Sequence, residues 1–350
     1  MITGCLKVGL GNGRPAPSFG HIPGAGTRAW LRRAATSGLV LDWTSGDPRF
    51  NHWNRGVRAT GSAFATANRI GAAFVRTGAR EAGGIIFADG VPREIAGTGY
   101  RSSNAATNII RASAVMSTQT QTVTAVQHTL SFTGTGTITL TGASTAGPLV
   151  GTGVNNRVSL TFTPAAAGLT MTVSGDVRLA QLETGGVATD YVPNLSTTDP
   201  ATAAGDSYFL PASDLPSGRM LITGEIALAT WQPAVTQRIF SWFTPNMFIT
   251  LASANSISIT GGTESITLST LTAPARFAYL YEPGVAGRAS ANGAAVVVST
   301  GVGQATPTAN ATIAGNGGTL QLVDYLRFLS VAPAVGTITD ADLQAISSRT

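Results

Sequence analysis

The chain has 350 residues, of which 43% are hydrophobic and 11% charged, with 42 glycines, one cysteine (Cys5) and a net charge of +5. That balance excludes a disordered chain, which would carry more charge and less apolar content. The lone cysteine excludes an internal disulfide framework, and no apolar run reaches the ~18 residues that a membrane-spanning helix needs.

The charge is uneven. Residues 1–100 hold twelve Lys and Arg against five Asp and Glu, a net of +7, while residues 101–350 carry −2. A basic leading third points to an acidic partner. The arginines are dispersed and sit in no nucleic-acid-binding motif, so the expected partner is an acidic protein surface and not nucleic acid.

Residues 1–37 read as an irregular arm, because Gly4, Gly9, Gly11, Gly13, Pro15, Pro17 and Pro23 punctuate it too often for a regular element. Thr27–Ala35 predicts one short helix capped by Thr27. Arg28, Arg32 and Arg33 suit planar pairing with carboxylates, and Trp30 suits an apolar pocket. Met1–Ala35 is therefore the expected attachment segment. The start lacks a charged stretch followed by a sustained apolar run, so no secretion signal is expected. Leu39–Trp43 predicts a first strand. Gly83–Phe87 and Val91–Ile95, on either side of Asp89–Gly90, predict a hairpin.

Strict alternation dominates from Gln121 to Pro193. Ile138 and Leu140 alternate with Thr137, Thr139 and Thr141. Val158, Leu160 and Phe162 alternate with Ser159, Thr161 and Thr163, and Leu169, Met171 and Val173 repeat the pattern. A period of two gives half-buried strands, and the Gly/Ser/Asn/Pro clusters between them are turns, as in a β-sandwich. Asn194–Gly205 is polar and aperiodic and reads as a linker. Beyond it, strands are expected at Ser207–Leu210, Met220–Leu228, Arg238–Phe243, Met247–Leu251, Ser256–Thr260, Ser265–Leu268, Arg276–Tyr281, Ala294–Val298 and Thr319–Leu329. A terminal helix, Thr339–Ile346, carries Thr339 and Asp342 in capping-box spacing. The expected fold is all-β: the arm at 1–37, then two tandem β-sandwiches at 38–195 and 206–350.

Little in the chain suggests catalysis. The histidines His21, His52 and His128 have no partner at ligand spacing, and no metal site is expected. No Gly-x-Ser-x-Gly elbow lies between a strand and a helix. Glu225, Glu264 and Glu282 are the carboxylates a glycosidase could use, but they lie in separate segments. No enzyme activity and no cofactor are expected. Trp231, Trp242, Tyr279 and Tyr281 are candidates to stack on a sugar. In Arg276–Tyr281, Phe277, Tyr279 and Tyr281 share one face, which is either core or an exposed stacking strip.

The runs HTLSFTGTGTITLTGASTAGPL (128–149), RVSLTFTPAAAGLTMTVSG (157–175) and AQLETGGVATDYVP (180–193) resemble the head-spike fibre domain of phage virion proteins. YRSSNAATNII (100–110) is similar to the opening segment of the same jelly-roll modules, with Ala106 where those modules usually carry arginine. YLRFLSV (325–331) followed by TITDADLQAI (337–346) resembles the close of concanavalin-A-like and laminin-G-like sandwiches. The resemblance implies a virion structural protein: a head-spike or fibre subunit seated on a capsid or spike base through its N-terminal region. It would project from the virion surface to bind host surface polysaccharide. Such fibres are homo-oligomers, here a trimer or pentamer, made in the host cytoplasm and not inserted in a membrane. A tail-fibre or baseplate receptor-binding protein and a capsule-degrading glycosidase are the alternative functions.

Overall fold

The computed structural model describes residues 39–42, 51–54, 57–60, 73–82, 84–95, 98–212, 215–228, 237–243, 246–253, 255–303, 308–315, 321–322, 324–334 and 336–348. The attachment residues Arg28, Trp30, Arg32 and Arg33, and Trp231, lie outside them. The regular structure of the described residues is antiparallel strand apart from one helix, Asp340–Ser347. No helix among the described residues is long and apolar enough to cross a membrane.

Contacts divide the chain into two units, but not at the boundaries the sequence suggests. One unit comprises Val75–Val91 and Ser103–Asp206; the other comprises Met1–Phe74, Pro92–Ser102 and Ser207–Thr350. The expected tandem division at 38–195 and 206–350 therefore gives way to an inserted one. The predicted first strand shows why. Leu39–Asp42 pairs with the far C-terminal strand Leu326–Pro333, Leu41 lying opposite Leu329. Alternation marks a strand as half-buried but carries no information about which sheet it joins.

The inserted unit contains a two-sheet antiparallel sandwich. One sheet has the order Gln119–Thr122, Gly168–Ser174, Thr137–Gly142, Leu149–Val150. The other has Gly153–Phe162, His128–Gly134, Val177–Thr184. Ile138, Leu140, Leu169 and Met171 of the first sheet share one core with Leu130, Phe132, Ala180 and Leu182 of the second. His128 is packed into its strand, stacked on Phe162, with Nδ1 2.7 Å from the Val126 carbonyl.

The segments carrying the fibre resemblance close this sandwich. Ala106–Asn108 pairs with Ala201–Ala203. The buried Asn108 amide donates to the carbonyls of Ala180 (2.9 Å) and Val192 (3.0 Å), and its oxygen accepts from Ile110 N–H (3.1 Å). Asn194 is also buried; its amide donates to Ile110 O and Asp199 O, both at 2.9 Å. The stretch read as a linker is thus a clasp. Its polar side chains satisfy backbone groups that closure removes from water, a requirement for any buried polar group.

The expected hairpin across Asp89–Gly90 is also rearranged. Arg80–Ala82 pairs with Ile85–Phe87 around Gly84, whose φ of +82° needs glycine, and Arg93–Ile95 pairs with Gly99–Arg101. An arginine holds the Asp89–Gly90 turn in place of a strand ladder: Arg76 Nη2 donates to Ala88 O (2.7 Å) and Val91 O (2.9 Å). Its Nη1 pairs with Asp206 at 3.2 Å, both side chains being fully buried.

Among the described residues the other unit has two sheets and the helix. Its seven-stranded sheet has the order Glu264–Leu268, Ser256–Gly261, Asn246–Ser253, Gln237–Phe243, Ala311–Ile313, Ser207–Leu210, Ala73–Val75. Its ten-stranded sheet is built around Ala275–Tyr281, Met220–Ile226 and Leu326–Pro333. Ile222, Phe277, Tyr279, Tyr281 and Val331 pack against Phe240, Trp242, Ile249, Ile259 and Ile266 of the first sheet. Behind them, Leu221, Ala278, Leu280 and Phe328 pack against Leu343 and Ile346 of the helix. The helix begins with the expected capping box, Thr339 Oγ1 accepting Asp342 N–H at 3.2 Å and Asp342 Oδ2 accepting Thr339 N–H at 3.0 Å. Two arginines fasten it to the sheet. Arg288 pairs with Asp340 (2.5 Å), and Arg276 donates to Ser348 O (2.9 Å).

Candidate functional site

Of the aromatic residues singled out for sugar stacking, the three within the described residues lie in the core. Trp242 and Tyr279 are 0% exposed and Tyr281 is 2% exposed. Trp242 Nε1 donates to Ala309 O (3.0 Å), and its ring meets Phe240 edge-on, with centroids 5.9 Å apart. These rings have no face open to a ligand. All seven residues of Ala275–Tyr281 are buried, because the opposite sheet covers Phe277, Tyr279 and Tyr281 while the helix covers Ala278 and Leu280.

Each of the three carboxylates weighed for hydrolysis is engaged. Glu225 accepts from Arg276 Nε (2.7 Å) and lies 3.3 Å from Arg327 Nη1. Glu282 pairs with Arg219 at 2.9 Å. Glu264 accepts from Tyr279 Oη (2.6 Å) and Gly287 N–H (2.8 Å), and burial pushes its carboxyl above the ordinary range. Among the described residues no group of three His, Cys, Asp or Glu could hold a metal ion.

The buried phenols set the response to alkali. Burial, reinforced by the charge of Glu264, raises Tyr281 from 10.0 to about 12, and burial pushes Tyr279 up as well. A raised folded value means that the unfolded chain ionises first. Stability is then intact below pH ~10 and lost as pH rises toward ~12. Denaturation midpoints between pH 8 and 12 should fall across that window, and Tyr281→Phe should flatten the slope. An equally steep fall in the variant would refute the assignment.

The open surface of this unit lies on the other side of the seven-stranded sheet. Its first two strands alternate strictly: Ile257, Ile259, Ile266 and Leu268 turn inward, and Ser258, Thr260, Ser265 and Thr267 turn outward. The register aligns them in two rows. Thr250, Ser258 and Thr267 are paired in one, and Phe248, Thr260 and Ser265 in the next. Arg238 lies opposite Thr250 in the first row, and Ser241 opposite Phe248 in the second. Ser265 and Thr267 are exposed, while Arg238, Phe248, Ser258 and Thr260 are half-buried.

Along the second row the hydroxyls change role. Ser241 and Thr312, farther into the sheet, are buried and both donate to Gly315 O, at 3.1 and 2.9 Å. The hydroxyls of the outer strands stay at the surface. Arg238 stands over the Phe248 ring, 3.8 Å from its centroid, and its Nη1 donates to Thr250 Oγ1 at 3.1 Å. The face thus combines neutral donors and acceptors with one ordered cation. It can hydrogen-bond an extended polyhydroxylated ligand without deep burial. The signal was present in SISIT and ESITL, whose alternation locates the inward isoleucines and, equally, the outward hydroxyls. No family model, curated protein or solved structure matches the chain.

Proposed function

We propose that the chain is a fibre or head-spike subunit of a phage-like particle, and that the unit containing residues 207–350 binds host surface polysaccharide without cleaving it. The observation that carries this reading is the hydroxyl-lined outer face of the seven-stranded sheet, with Arg238 and Phe248 among its residues. Sugars are recognised through many individually modest hydrogen bonds, which a regular array of serine and threonine supplies. The engaged states of Glu225, Glu264 and Glu282 favour binding over hydrolysis.

The resemblance to head-spike fibre modules bears on the other unit. Its motif residues Asn108, Thr189 and Tyr191 make closure contacts: Thr189 N–H donates to Glu183 Oε1 at 2.8 Å, and the Tyr191 hydroxyl lies 2.7 Å from Ser113 Oγ. The motif therefore supports a shared module and leaves ligand choice to other surfaces. In this reading the basic N-terminal region seats the subunit on an acidic capsid or spike base. Assembly as a trimer or pentamer at the virion surface would turn weak sugar contacts into avid ones.

The test is binding of capsular and lipopolysaccharide glycans displayed on an array. The quadruple variant Ser258→Ala, Thr260→Val, Ser265→Ala, Thr267→Val keeps side-chain shape and removes the hydroxyls. It should melt within a few degrees of the wild type and bind about tenfold or more weaker, since each lost hydrogen bond is worth ~0.5–1.5 kcal/mol. Unchanged binding would exclude this face as the contact surface.

A further inference from the structure

Arg238 stands on the face described above. Arg219, Arg276, Arg288 and Arg327 each pair with a carboxylate of the same unit. Arg238 pairs with none among the described residues. Its charge is held by a ring and a hydroxyl, Phe248 and Thr250. Its Nε is buried without a hydrogen-bond acceptor. We propose that Arg238 is an anion-selecting position, and that the polysaccharide bound on this face is acidic, a sugar carboxylate pairing with the guanidinium while neighbouring hydroxyls meet Ser258, Thr260, Ser265 and Thr267. This inference rests on the glycan-binding reading and adds the charge of the ligand.

A guanidinium presents its donors in a rigid plane that matches a carboxylate bidentately, and such charge-assisted bonds are about twice as strong as neutral ones. Arg238 is already ordered by Phe248 and Thr250, so an arriving anion need not immobilise a free side chain. Burial lowers the Arg238 guanidinium below its ordinary value, and among the described residues no acid opposes the shift. A ligand carboxylate would supply the missing countercharge. The surroundings also restrict the ligand. The outward side chains of Ser256–Gly261 and Glu264–Leu268 are hydroxyls, so one acidic group per repeat, flanked by neutral hydroxyls, is the pattern that fits.

The probes are polygalacturonate and polysialic acid, each compared with the same polymer after its carboxylates are reduced to alcohols. The wild-type protein should bind at least one acidic polymer about tenfold or more tighter than its reduced form, and the preference should shrink as salt is raised. Arg238→Gln should bring acidic-polymer affinity down to that of the reduced polymer, with the melting temperature nearly unchanged. Arg238→Lys should restore part of the preference, because it returns the charge but not the planar fork. Equal wild-type binding of acidic and reduced polymers would overturn the inference and leave the glycan-binding face standing. An acidic preference surviving in Arg238→Gln would also overturn it, placing the selecting charge elsewhere. Binding of neither form, together with no loss in the hydroxyl-free variant on the array, would remove the underlying reading as well.

Discussion

Replacing Trp242 with alanine is expected to cost about 3–5 kcal/mol of stability, the range for emptying a buried aromatic site. The ring is fully buried, between Met247 on one neighbouring strand and Ala311 on the other, and it meets Phe240 at an interplanar angle of 77°. Its loss opens a cavity between the sheets and strands the Ala309 carbonyl that now accepts Nε1. Set against the ~5–15 kcal/mol by which a typical domain is stable, this is a large fraction. Trp242→Phe keeps most of the volume and forfeits the hydrogen bond, so it should cost about 1–3 kcal/mol. Urea denaturation reads both. A Trp242→Ala protein of wild-type stability that had lost glycan binding would return Trp242 to the role of ligand contact.

Glu225→Ala should be nearly as damaging, at about 3 kcal/mol, for an electrostatic reason. The Glu225 side chain is 2% exposed and faces two arginines, Arg276 at 10% and Arg327 at 30% exposure. Removing the acid leaves Arg276 in a poorly hydrated site with its countercharge gone, and breaking a buried pair on one side typically costs ~3–5 kcal/mol. The value is set at the lower end because Arg327 retains solvent. The double variant Glu225→Met, Arg276→Met removes both charges at similar volume and should recover most of the loss. It would not recover all of it, since Arg276 also donates to Ser348 O at the end of the helix. If single and double variants were equally unstable, packing of the aliphatic stems, and not the stranded charge, would be the cause.

Composition and alternation were enough to read the all-β class, most strands of both sandwiches and the capped terminal helix. These are local properties. A period of two orients a side chain whatever the strand pairs with, and the Thr339–Asp342 capping box closes within four residues. What the sequence could not express was partnership. Leu39–Asp42 reads as a strand, but only the ladder with Leu326–Pro333 assigns it to the C-terminal sheet. Asn194 reads as linker until its amide is found bonded to Ile110 O.

The same limit decided the site. Tyr279 and Tyr281 lie on one face of their strand in either reading, and alternation cannot say whether that face meets water or another sheet. A helix that begins about sixty residues later, at Asp340, covers the back of the strand, so both faces are buried. Conversely, Ser258, Thr260, Ser265 and Thr267 looked like the ordinary polar half of two strands. They become one face only when register sets them side by side with Arg238 and Phe248. Side-chain direction is a local consequence of the backbone. Which directions end in solvent is decided by the packing of segments far apart in the chain, and that was visible only in the tertiary structure.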